Sequence, residues 1–111
     1  MGTYLIQLGL VYQQGRVVAK DDSEAAKWYR LAAEQDCAEA QFILGVFYGV
    51  GEVVPEDLVQ AYKWITLAKD NKHAGAAALL EGFAEDISQE QKAEALSLAA
   101  EWRKEYGRRQ E

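Results

Sequence analysis

Few residues in this 111-residue chain are of types able to do covalent or metal chemistry. There is one cysteine, Cys37, and one histidine, His73, and they stand 36 positions apart. A Cys/His nucleophile needs hydrogen-bond contact between the two side chains and an orienting third group, and the sequence offers no such triad. One Cys and one His also fall short of the ligand set of a closed zinc site. Both are read as incidental loop residues, and no catalytic residue, metal site or cofactor is expected.

The carboxylates invite a second chemical reading, because Asp21, Asp22 and Glu24, like Glu56 and Asp57, are close enough to act as an acid/base pair. Their place at predicted helix starts accounts for them more simply, since negative charge there satisfies free amides and the helix dipole. The glycines spell no phosphate loop, as no Gly-Lys-Ser/Thr follows them and no strand precedes them.

The elements that must carry these residues are set by a repeat. The series Leu8-Gly9, Tyr12, Gly15, Val17-Val18, Asp21, Ala25, Trp28 recurs 36 positions later as Leu44-Gly45, Tyr48, Gly51, Val53-Val54, Asp57, Ala61, Trp64. Self-similarity at that period marks a helical solenoid, in which each unit stacks on its neighbours because it is too small to bury its apolar face alone. The expected fold is all-α, with about three helical hairpins and six helices in one domain, in units at about 2–37, 38–73 and 74–106. Apolar residues at Leu5, Leu8, Val11 and Tyr12 mark one face of a first helix, which Gly15 ends. Asp21 with Glu24, Asp57 with Gln60, and Ser88 with Gln91 have capping-box spacing and open the second helix of each unit. The last helix is expected to run through Ala93, Leu96, Ala100 and Trp102 to about Tyr106, with a polar outer face that ends the stack. The start has no equivalent cap.

Gly9 and Gly45 lie inside helices, where glycine costs about 1 kcal/mol relative to alanine. Close approach of the second helix, through Ala25 and Ala32 or Ala61 and Ala68, supplies the packing reason. Gly15 and Gly51 are expected to provide a positive φ at a C-cap.

Composition narrows the function. A formal charge of −6 and pI near 4.8 argue against nucleic acid, whose phosphates call for a basic stripe. No uncharged run approaches the roughly 20 residues of a membrane-spanning helix. Nothing at the N-terminus reads as a signal peptide, so a cytoplasmic location is expected, with a mature periplasmic form left open.

Leu-Gly-x-x-Tyr-x-x-Gly followed by Val-x-x-Asp-x-x-x-Ala-x-x-Trp resembles the Sel1-like repeat, a relative of the tetratricopeptide repeat, over Tyr4 to about His73. Val17 and Val53 replace a loop glycine of that family, Asp36 and Lys72 the glycine that ends the second helix, and Glu81 the helix glycine of the last unit. The resemblance implies a right-handed superhelix whose first helices line a concave face, and a role as a scaffold for protein–protein interaction. Its groove positions carry over to Thr3, Ile6, Leu10, Gln13 and Gln14 in the first unit. They fall on Glu39, Phe42, Val46 and Val50 in the second, and on Gly75, Ala78, Gly82 and Glu85 in the third.

Ile6, Leu10, Phe42, Val46 and Val50 form an apolar strip with two readings: an exposed interaction surface, or core if a short array closes on itself. The expected partner is a protein or peptide, or a second copy bound through the groove or the uncapped N-terminal end, which would make the chain a self-associating fragment. A hydrolase like the β-lactam-binding, cysteine-rich relatives is the alternative. Those relatives carry a pair of cysteines per repeat, and this chain has one cysteine in all.

Overall fold

The structure is a computed structural model and describes residues 22–51 and 54–110. The expectations for Thr3, Ile6, Leu8, Gly9, Leu10, Tyr12, Gln13, Gln14, Gly15, Asp21 and Val53, and for the first helix, lie outside the described residues. Within them the chain is all-helical, with α1 at Asp22–Glu34, α2 at Ala38–Val50, α3 at Leu58–Asp70, α4 at Ala76–Phe83 and α5 at Gln89–Arg109.

Each boundary has a local cause. The Asp57 side chain accepts the Gln60 N–H at 3.1 Å and starts α3. Ser88 and Gln91 form a reciprocal box, with the Ser88 hydroxyl accepting from Gln91 N at 3.1 Å and the Gln91 amide oxygen from Ser88 N at 3.0 Å. Gly51 ends α2 at φ 78°. Asp36 and Lys72, the two departures at the glycine position, take the left-handed conformation that glycine would, at φ 64° and 69°. Behind each, the next amide reaches back five residues to close the turn, Cys37 N to Ala32 O at 3.3 Å and His73 N to Ala68 O at 2.9 Å. The repeat therefore keeps its corner geometry without its glycine, and the backbone carries a strain of about 1–2 kcal/mol at each position.

Packing follows the small-residue pattern. In α2 and α3, a Cβ on Gly45 would lie 2.7 Å from Ile65 Cγ1 and 3.1 Å from the Ala61 carbonyl oxygen. Only glycine lets these backbones approach so closely. One core joins Ala25, Tyr29, Ala32, Ala33, Leu44, Phe47, Trp64 and Leu67 across α1, α2 and α3, with Ala99 of α5 inserted. A second joins Tyr62, Ile65, Ala68, Ala76, Leu80, Ile87 and Ala95. Helix α5 lies along α3. Its buried positions are Ala95 and Ala99 with Trp102 half-buried, whereas Ala93, Leu96 and Ala100 are exposed. The helix contains the expected residues, but the spacing that located it does not say which of its faces packs. Small residues on several sides of α5 leave its phase to be chosen by the aromatic Trp102, which meets Trp64 edge-on at 5.7 Å.

Candidate functional site

Glu39, Phe42, Val46 and Val50 recur at spacings of three and four along α2 and share one face of it. Val50 is 56% exposed, Val46 and Phe42 are half-buried, and the Glu39 side chain is 56% exposed. Phe83 of α4 lies beside this face, since a Cβ on Gly49 would meet its ring at 2.7 Å. Of the third-unit positions, Ala78, Gly82 and Glu85 are exposed and Gly75 is half-buried. The other strip residues, Ile6, Leu10 and Gln13, lie outside the described residues.

His73 organises the N-terminal end of this surface. Its ring stacks on Phe42 with centroids 4.2 Å apart and planes at 12°. Gly75 N donates to Nδ1 at 3.2 Å, which makes Nδ1 an acceptor and leaves the proton of the neutral ring on Nε2, 2.8 Å from Glu39 Oε2. Both nitrogens are thereby engaged, and neither with the Cys37 thiol, so the Cys/His pair has no nucleophilic geometry. What looked like an incidental loop histidine ties the second unit to the start of the third. The Glu39 charge also reaches the buried Tyr29, whose phenol is pushed up to about 12, first by burial and then by Glu39.

A polar network joins the first two unit corners. Gln41 is fully buried and donates to Ala33 O at 3.2 Å and Asp36 Oδ1 at 3.1 Å. Asn71 donates to Asp36 Oδ1 at 2.7 Å and to Gln41 Oε1 at 2.9 Å. Sequence reading missed it, although Asp36 standing in a glycine position was the available signal: the residue there has a side-chain task. On the other side of α1, Arg30 donates to the Tyr48 hydroxyl and lies 5.6 Å from the ring centroid. Lys63 is lowered from the ordinary lysine value, first by burial and then by the Arg30 charge.

The remaining described repeat residues are mostly packed. Ala25, Leu44 and Ala61 are fully buried, Trp64 is 2% exposed, and Tyr48 and Trp28 are half-buried. No cluster of three or more His, Cys, Asp or Glu able to hold a metal occurs among the described residues. No helix among them is long and apolar enough to cross a membrane.

Comparison with known proteins bears on the same residues. The Sel1 repeat family model matches in two consecutive copies, residues 4–37 and 38–73. The chain belongs to the Sel1 repeat family. A crystal structure of a protective antigen present in uropathogenic Escherichia coli strains, displaying an SLR fold, is 30% identical with a TM-score of 0.86, over 96% of this chain and 23% of that one. A Sel1 repeat protein from Oxalobacter formigenes is 31% identical with a TM-score of 0.73, over 91% of this chain and 44% of that one. This chain thus spans less than half the length of either Sel1 protein. No curated protein matches it. The α-solenoid class expected from the 36-residue period is the fold of these neighbours.

Proposed function

We propose that this Sel1 repeat chain is a non-enzymatic scaffold that holds a protein or peptide against the α2 face bearing Glu39, Phe42, Val46 and Val50, with Ile6, Leu10 and Gln13 extending that face into the first unit. Sel1 repeats are in general protein-interaction scaffolds. The observation that supports this face is the exposure of Val50, 56%, at the end of a helix whose other apolar residues pack. An aliphatic side chain left just over half in water gains on the order of 1 kcal/mol when a partner covers it.

A photo-crosslinking amino acid placed at Val50 tests the reading, with Leu31 of α1, 47% exposed, as the control position. Adducts of discrete mass formed from Val50 and not from Leu31, and abolished by Val46→Glu in a variant that still melts cooperatively, are the expected result. Equal labelling from both positions would refute it. Light scattering on the free chain separates a second copy from a different partner.

A further inference from the structure

We propose that the cleft between α4 and α5 is a binding site for a small apolar monocarboxylate of about the size of one amino-acid residue. In the second unit Gly45 lets the two helices close. Glu81 occupies the equivalent place 36 residues on, and here α4 and α5 each pack on α3 and scarcely on one another. The gap holds about 240 Å³, floored by Tyr62 and Lys69 of α3, with Lys92 of α5 on one side. That is below the usual range for sites that take larger cofactors, roughly 300–1,000 Å³, and restricts the occupant to a small body.

Chemistry sets its class. Ala77, Leu80 and Ala84 recur at three- and four-residue spacing and line the α4 wall with apolar surface. Lys69 and Lys92 both border the cleft, and neither makes an ion pair among the described residues. The carboxylate next to Lys69, Asp70, is turned to Arg103 at 3.6 Å instead. Lys92 Nζ lies 6.0 Å from the centre of the Tyr62 ring. Two lysines without an ion-pair partner among the described residues, beside an apolar α4 wall and in a chain of net charge −6, call for one anionic head on an apolar body. Glu81, also in the lining, offsets one of the two lysines and leaves a single net positive charge, which matches a singly charged carboxylate better than phosphate.

Titration of the ¹⁵N-labelled full chain tests this with four probes: N-acetyl-leucine, octanoate, N-acetyl-leucinamide and inorganic phosphate. The expected result is saturable shifts at the amides of Ala77, Leu80, Ala84 and Lys92 with the two carboxylates, at least about tenfold weaker binding of the leucinamide, the size of one charge-assisted hydrogen bond, and none of phosphate. The double variant Lys69→Gln/Lys92→Gln should weaken N-acetyl-leucine by a similar factor. Ala77→Phe should fill the cleft and abolish the shifts while the melting curve is retained, since Ala77 is exposed. Comparison of octanoate with the peptide Gly-Gly-Leu tells a free acid from a chain terminus, the tighter of the two naming the source. No shift at millimolar probe, equal binding of the leucinamide or of phosphate, or an unchanged affinity in the double variant would each overturn the proposal.

Discussion

The α2–α3 hairpin lies in the second Sel1 repeat copy, and the α4–α5 pair that follows it packs differently. In the first, Gly45 lies under Ile65 and Ala61, and the helices close around Leu44, Trp64 and Leu67. In the second, Glu81 stands at the equivalent position, α4 is only eight residues long, and each helix leans on α3 instead of on its partner. The self-packed hairpin thus has a glycine where the splayed pair has an exposed glutamate. A splayed last pair leaves a cleft that a closed one lacks.

The largest expected break in the comparison is in the closed hairpin. Trp64→Ala removes a side chain that is 2% exposed and should cost about 3–5 kcal/mol in urea unfolding. Trp102→Ala on the half-buried face of α5 should cost less than half of that, and equal losses would mean that α5 is as closely packed as α3.

The core shared by α1, α2 and α3 should also respond to alkali. Tyr29 is fully buried and its pKa rises from 10.0 to about 12 on folding. The folded state therefore keeps a proton that the unfolded state releases, so stability is full below pH 10 and falls by about 2–3 kcal/mol as pH climbs from 10 to 12. Unfolding free energies measured across that window should lose most of this slope in Tyr29→Phe. A slope unchanged by the substitution would remove Tyr29 as its cause.

The two unit corners sharpen the comparison with smaller effects of opposite sign. Asp36 and Lys72 share a positive φ, but only Asp36 also accepts hydrogen bonds, from Gln41 and Asn71. Lys72→Gly should relieve the strained backbone and stabilise by about 0.5–1 kcal/mol. Asp36→Gly relieves the same strain but strips an acceptor from the buried Gln41, for a net loss of about 1 kcal/mol. If both variants gain stability in thermal melts, the network has no energetic weight.

Much of this architecture was legible because it repeats. Matching Leu-Gly, Tyr, Gly, Asp, Ala and Trp positions carried the hairpins, and capping spacings carried the starts of α3 and α5. The phase of α5 was not, because alanines at 93, 95, 99 and 100 offer two small faces and the choice is made by Trp102 meeting Trp64. The clamp of His73 on Phe42 and Glu39 was hidden for another reason. Its partners lie 31 and 34 positions away, contacts that exist only once the two helices of the hairpin close, and no local spacing encodes them. Glu81 was visible as a departure from the repeat, but its consequence depends on how two helices cross.

The central claim is that α2 and α3 close on Gly45 whereas no helix closes on position 81, and a matched pair tests it most directly: Gly45→Ala and Glu81→Ala, compared by urea unfolding. Alanine at 45 gains about 1 kcal/mol of helix propensity but drives a Cβ into Ile65 and to 3.1 Å from the Ala61 carbonyl oxygen, for a net loss of about 1–3 kcal/mol. Alanine at the exposed position 81 should change stability by no more than about 0.5 kcal/mol. A stabilised Gly45→Ala, or a large loss at Glu81→Ala, would contradict the account.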